Sequence, residues 1–263
     1  MHTANPAFPS PPPAASPSRR KALTLCLAIG AFGAAGAARA DSVNLGYLGT
    51  GHGRVIHASV GTQSWDLFAG RLIHSASNGT GQLRTLPSTI VTFCADLMQS
   101  RSSIVSSFIR TSVAGTSPNA GIQNLGVAKQ QAIYDVYQAA AGRQFTAGHD
   151  YATAFQITMW EVIYDYNVTV PNHGLNVAAG NFRAASLGQG SLTASIATKV
   201  QFLLSSVGSG TTAQGLMGLK SGPYQDQIYL PPAVVGVPLP PAAWMTFGGL
   251  SLVGLAHCMR RRS

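Results

Sequence analysis

The chain has 263 residues, a formal charge of +9 at pH 7 and three cysteines. The charge sits mostly at the two ends. Arg19, Arg20, Lys21, Arg39, Arg260, Arg261 and Arg262 are seven of the 17 Lys and Arg, and the ten others face 8 acidic residues, leaving an interior near +2. That interior carries no basic stripe and no recognition motif, which excludes nucleic acid as the expected partner.

The first eighteen residues are rich in Pro, Ser and Ala and cannot bury a core. Arg19-Arg20-Lys21 then precede an apolar run over 22–38, and Ala38-Arg39-Ala40 places small residues where a signal peptidase reads. This order predicts a leader and cleavable signal peptide over 1–40, with cleavage before Asp41 and export of the remaining chain. Cys26 falls inside that signal.

Residues 41–230 are long enough for one domain with a real core. Short β-branched and aromatic stretches over 42–48, 54–60 and 63–68 predict strands. Gly46, Gly49, Gly51 and Gly53 crowd one stretch and predict a loop, because the sequence around them fits neither a phosphate-binding nor a dinucleotide-binding turn. Further strands are expected over 86–94 and 103–111. Helical spacing then takes over across 125–143, 150–166 and 191–205, and 226–230 closes the domain as a strand. Strands, then helices, then a strand predict an α+β fold: a β-rich barrel or sandwich with a helical insertion.

Two segments could carry chemistry, Phe93-Cys94-Ala95-Asp96-Leu97 and Phe155-Gln156-Ile157-Thr158-Met159-Trp160-Glu161. Cys94 is the single thiol of the exported domain, since Cys26 lies in the leader and Cys258 in the tail. An intramolecular disulfide is therefore excluded there. The two segments resemble the paired motifs of bacterial thioester domains, in which a Cys follows an aromatic residue and a TQxAIW-like helix supplies a Gln. The resemblance implies that Cys94 and Gln156 form an intramolecular thioester, with Phe93 and Trp160 surrounding it and excluding water. Phe155, Thr158 and Met159 depart from the usual Thr, Ala and Ile, and Ala95 stands where Ile is common. Such a bond is consumed once by an external nucleophile, so it serves covalent adhesion rather than turnover.

The competing reading of the same residues is an inert buried Cys beside a core helix whose Gln156 bonds to backbone. A third reading, a Cys-dependent hydrolase, needs one of His57, His74, His149 or His173 beside Cys94. His52, His57 and His74 show no metal-ligand spacing and read as isolated, exposed side chains. Glu161 and Asp165, four apart on a helix, are expected to repel modestly rather than act as a pair. No cofactor or metal is expected.

The tail has three parts. A Pro-rich linker over 231–241 contains Val237-Pro238-Leu239-Pro240. An apolar run over 242–259 could span roughly 27 Å as a helix, near the hydrocarbon thickness of a bilayer. Arg260, Arg261 and Arg262 then hold that end on the cytoplasmic side. Motif, transmembrane helix and Arg cluster resemble the VPLPA variant of the PEP-CTERM sorting signal. The resemblance implies an exosortase-type partner, inner-membrane anchoring during sorting, and delivery to the surface or extracellular matrix of a Gram-negative bacterium. The expected role is surface or matrix interaction with an exopolysaccharide or cell-surface ligand.

Overall fold

The computed structural model describes residues 40–117, 124–141, 148–211 and 216–229. The leader, the sorting motif Val237-Pro238-Leu239-Pro240, the apolar run and Arg260, Arg261 and Arg262 lie outside the described residues. Among the described residues, no helix is long and apolar enough to cross a membrane.

The fold is sheet-rich α+β. Strands β1 (Ser42–Val60) and β2 (Gln63–Ser77) form a long hairpin. Its two-residue loop begins at Gly61, whose φ of +58° supplies the left-handed backbone that such a tight turn requires. Strands β3 (Thr89–Cys94) and β4 (Ser106–Thr111) come next. Helices α1 (Val127–Ala141) and α2 (His149–Asp165) follow. Strand β5 (Phe182–Ser186), helix α3 (Ala194–Leu204) and strands β6 (Met217–Lys220) and β7 (Gln227–Tyr229) complete the order.

All pairings are antiparallel, and they close a ring: β1–β2–β3–β7–β6–β4 and back to β1. Strand β1 is long enough to serve two neighbours. Its first residues pair with β4 and its last, from Ile56 to Val60, pair with β5. Val43, Leu45, Leu83, Ile90, Phe108, Leu219 and Tyr229, mostly from the ring strands, make a small core of their own. The larger core joins the far half of the hairpin to the three helices through Ile56, Ala58, Val60, Ile133, Phe155, Trp160 and Val200.

Helix α2 lies at the centre of that larger core. It packs against β1, β2, β5, α1 and α3. Every residue from Ala152 to Ile163 is consequently buried, and both stripes of the helix face protein. Asp150 in its first turn suits the positive end of the helix dipole.

The glycine-rich stretch is not a loop. Gly46, Gly49, Gly51 and Gly53 all lie within β1, which shifts register against β2 twice, between Tyr47 and Gly49 and between Thr50 and Gly53. The buried apolar side chains of β1 are odd-numbered before the shifts (Val43, Leu45) and even-numbered after them (Ile56, Ala58, Val60). Strand β1 thus contributes side chains to both cores. Glycine is required where the strands close in: a Cβ on Gly70 would sit 2.4 Å from the His52 carbonyl oxygen, and one on Gly53 2.5 Å from that of Ala69. The second half of β2, β5 and β6 also lie where no strand was expected. The strand expected from 103 begins only at Ser106, leaving Ile104 and Val105 exposed.

Candidate functional site

Cys94 is the last residue of β3, and its neighbour across the sheet is Gln227 of β7. The run Thr-Ile-Val-Thr-Phe-Cys suits a strand covered on both faces, and from Thr92 onward every residue of it is buried. Gln156 lies in the second turn of α2 with no exposed surface. The two meet in a reciprocal pair of hydrogen bonds. The Cys94 backbone N–H donates to Gln156 Oε1 at 3.0 Å, and Gln156 Nε2 donates to the Cys94 carbonyl oxygen at 2.9 Å. The carboxamide of one residue thus caps the peptide groups of the other where β3 leaves the sheet.

The thiol is free and buried, and donates to the Asp96 carbonyl oxygen at 3.0 Å. Burial pushes its pKa far above the ordinary range, and the Asp96 and Asp226 carboxylates push the same way. The Trp160 indole opposes that rise in part, although Nε1 has no hydrogen-bond partner of ordinary geometry. Phe93 packs edge-on against Phe155, with ring centroids 4.7 Å apart. Trp160 is one turn beyond Gln156 and tilts against Phe182. Phe93 and Trp160 are both buried, and Trp160 lines the same groove as Cys94.

Several residues that sequence reasoning missed hold the turn after Cys94. The Ala95 N–H donates to the Asp226 carbonyl oxygen at 2.9 Å. Asp96 is fully buried and its Oδ1 accepts from the Met98 N–H at 2.6 Å, while its carbonyl oxygen also accepts from Gln225 Nε2 at 2.7 Å. The Tyr164 hydroxyl accepts from the Leu97 N–H at 2.9 Å. Asp96 stands inside the Cys94 motif, and Tyr164 is two turns after Gln156, within reach of a helical-face reading of α2.

A groove of about 780 Å³ reaches Cys94, while Gln156 lies behind it with no exposed surface. Cys94 and Trp160 line it, with Trp65, Phe68, Met98 and Arg101 among the walls. Arg101 lies over the Tyr47 ring, 3.6 Å from its centroid. The groove walls mix polar and aromatic side chains, and they give outside access to the Cys94 end of the pair.

Comparisons with family models, curated proteins and solved structures return no match to this chain.

The histidines are placed elsewhere. His57 Nδ1 pairs with Asp66 at 2.8 Å, His149 Nδ1 meets the Gly53 backbone, and the His173 ring lies against Tyr166. His74 is not exposed, as the sequence suggested, but 3 % accessible, with Tyr47 edge-on to it and no partner for either nitrogen among the described residues. Burial and the Arg101 charge lower its pKa to about 4. Among the described residues no histidine contacts the thiol, and no cluster of three metal-ligating side chains occurs.

Glu161 and Asp165 are not a working pair either. The Glu161 carboxyl is buried, with Oε1 accepting from the Asn176 N–H and Oε2 without a partner among the described residues. Burial, more than the neighbouring Asp165, raises its pKa to about 8. Asp165 instead accepts from the Asn181 and Phe182 N–H groups.

The Cys94–Gln156 arrangement suits acyl chemistry. A nucleophile adding to Gln156 Cδ drives negative charge onto Oε1, where the Cys94 N–H already points. A donor fixed on a developing oxyanion in a dry site lowers that barrier.

Proposed function

We propose that this chain is an exported cell-envelope or extracellular-matrix protein that attaches covalently to another surface through a Cys94–Gln156 thioester. The reciprocal hydrogen bonds between the Gln156 carboxamide and the Cys94 peptide groups carry the reading. They hold the acyl group on the residue that bears the one thiol of the domain, and that residue lines an open groove.

In the proposed reaction Cys94 Sγ attacks Gln156 Cδ. The tetrahedral oxyanion on Oε1 takes the Cys94 N–H bond. The C–N bond breaks, and Nε2 leaves as ammonia with the thiol proton. An amine on the target later attacks the same carbon. The C–S bond breaks, the amine proton returns the sulfur to a thiol, and an amide remains on residue 156.

Delivery rests on the two ends of the sequence. The signal peptide over 1–40 and the sorting signal from Val237 to Arg262 are proposed to route the chain through signal peptidase and an exosortase. Inner-membrane anchoring comes first and release to the surface or matrix second.

A second reading has its own support. The Gln156 carboxamide bonds to backbone, as the inert reading expects, and the thiol is buried, held by the Asp96 carbonyl and pushed toward its protonated form. The protein would then be a non-covalent structural matrix component. Peptide mapping after methylamine treatment separates the two. Methylamine on residue 156 with a newly alkylatable Cys94 supports the thioester; an unmodified Gln156 and an unchanged thiol support the inert Cys.

A further inference from the structure

Strand β2 is longer than its partners on one side. It pairs with β1 along nearly its whole length, but with β3 only from Leu72 to Ser75. Among the described residues no strand covers its outer edge from Gln63 to Gly70. In a two-residue hairpin the residues flanking the loop exchange both backbone hydrogen bonds, so Gln63, Trp65, Leu67 and Ala69 face β1. Ser64, Asp66 and Phe68 then point their N–H and C=O groups outward. The Ala76 N–H, which donates to Ser88 on the β3 side at 2.8 Å, has the same parity.

That bare edge borders the groove, which is lined by Ser64, Asp66, Phe68 and Gly70. Leu72 is opposite Thr92, and the same register carried two residues further would set Cys94 beside Gly70. Strand β3 thus leaves its lane at Cys94, and the same lane continues past Phe68, Asp66 and Ser64 without a strand. A residue opposite Phe68 would stand about 7 Å along the lane from Cys94 at the usual strand rise, comparable with the length of a lysine side chain. The groove offers both halves of a strand-addition site: unpaired backbone along one wall and apolar or aromatic side chains, Leu97 and Met98 among them, to take alternate residues.

We infer that this groove docks an extended polypeptide segment as an added strand on β2, carrying a lysine amine to Gln156 Cδ. The covalent step rests on the thioester reading, whereas the docking does not. Unpaired edges left in solution are otherwise an aggregation hazard, and a ligand strand removes it. In the covalent step the lysine Nζ attacks Cδ, the C–S bond breaks, the amine proton moves to sulfur, and an isopeptide bond joins the partner to residue 156.

The test uses the full chain and a fluorescent alternating Thr/Val peptide with one central Lys. A second peptide has alternate backbone nitrogens methylated. Binding is measured by anisotropy in wild type and in Cys94→Ala. Amide exchange at Ser64, Asp66 and Phe68 is followed with and without peptide. The expected result is saturable binding in both proteins, at least tenfold weaker for the methylated peptide and for Ser64→Pro. The three amides should exchange fast when free and slowly when bound. Equal binding of both peptides, no saturable binding, or amides already protected in the free chain overturns the docking. Docking without an isopeptide adduct in wild type leaves the strand site standing and counts against the thioester alone.

Discussion

The Gln156 side chain and the Cys94 backbone exchange two hydrogen bonds across 62 residues of sequence, in a site closed to water on the protein side. Both partners are buried, so neither bond has solvent as a substitute. Gln156→Ala should therefore leave the Cys94 N–H and C=O unsatisfied and open a cavity, lowering stability by about 2–5 kcal/mol. Chemical denaturation checks this. A loss under about 0.5 kcal/mol, the scale of an ordinary surface change, would mean the pair does not hold β3 to α2.

Trp160 both lines the groove and covers the pair. Trp160→Phe keeps an aromatic ring in the core while letting water closer to the acyl carbon. Thioester hydrolysis, followed as the appearance of alkylatable Cys94, should run several-fold faster than in wild type. The same rate in both proteins would remove Trp160 from the shielding role.

Two buried groups should tilt the stability of the fold in opposite directions with pH. Glu161 has its folded pKa raised to about 8 from 4.5, so the native state holds a proton that the unfolded chain releases. Its contribution is full below pH 4.5 and falls as pH climbs to about 8. Glu161→Gln should flatten that decline and gain about 3–5 kcal/mol relative to wild type between those limits. Parallel wild-type and variant curves in denaturant would show that the carboxyl is not held protonated.

His74 works the other way. Its folded pKa falls from 6.5 to about 4, so the unfolded chain binds the proton that the native state refuses. Stability is present above pH 6.5 and is lost as pH falls toward 4. His74→Phe, which keeps a ring against Tyr47, should remove about 2–3 kcal/mol of that acid sensitivity. Melting curves at pH 4.5 and 7 compare the two proteins; an unchanged difference would place the acid sensitivity elsewhere.

The parts of this fold that were legible from sequence are those with a strong local pattern. The three helices follow from apolar spacing, and Cys94 with Gln156 from two short motifs whose partners then proved to touch. Strand β1 was split in two because its glycines read as a loop. Gly53 is required by a close approach to Gly70 of β2, which no local pattern encodes. Strand β6, with the sequence Met-Gly-Leu-Lys, is too short to show alternation. The burial of His74 and Glu161 was equally hidden, since each is set by elements distant in sequence. Asp96 and Tyr164 were within reach of the motifs, but their roles depend on a turn that only the assembled site displays.

The thioester is the central claim, and intact mass tests it most directly. Wild type and Cys94→Ala are expressed and processed together, and each is compared with the mass its processed sequence requires. Wild type should be lighter than that mass by one ammonia, should regain mass on methylamine addition, and should differ in this from Cys94→Ala. Full unmodified mass in both proteins, with no methylamine adduct in either, would contradict the account.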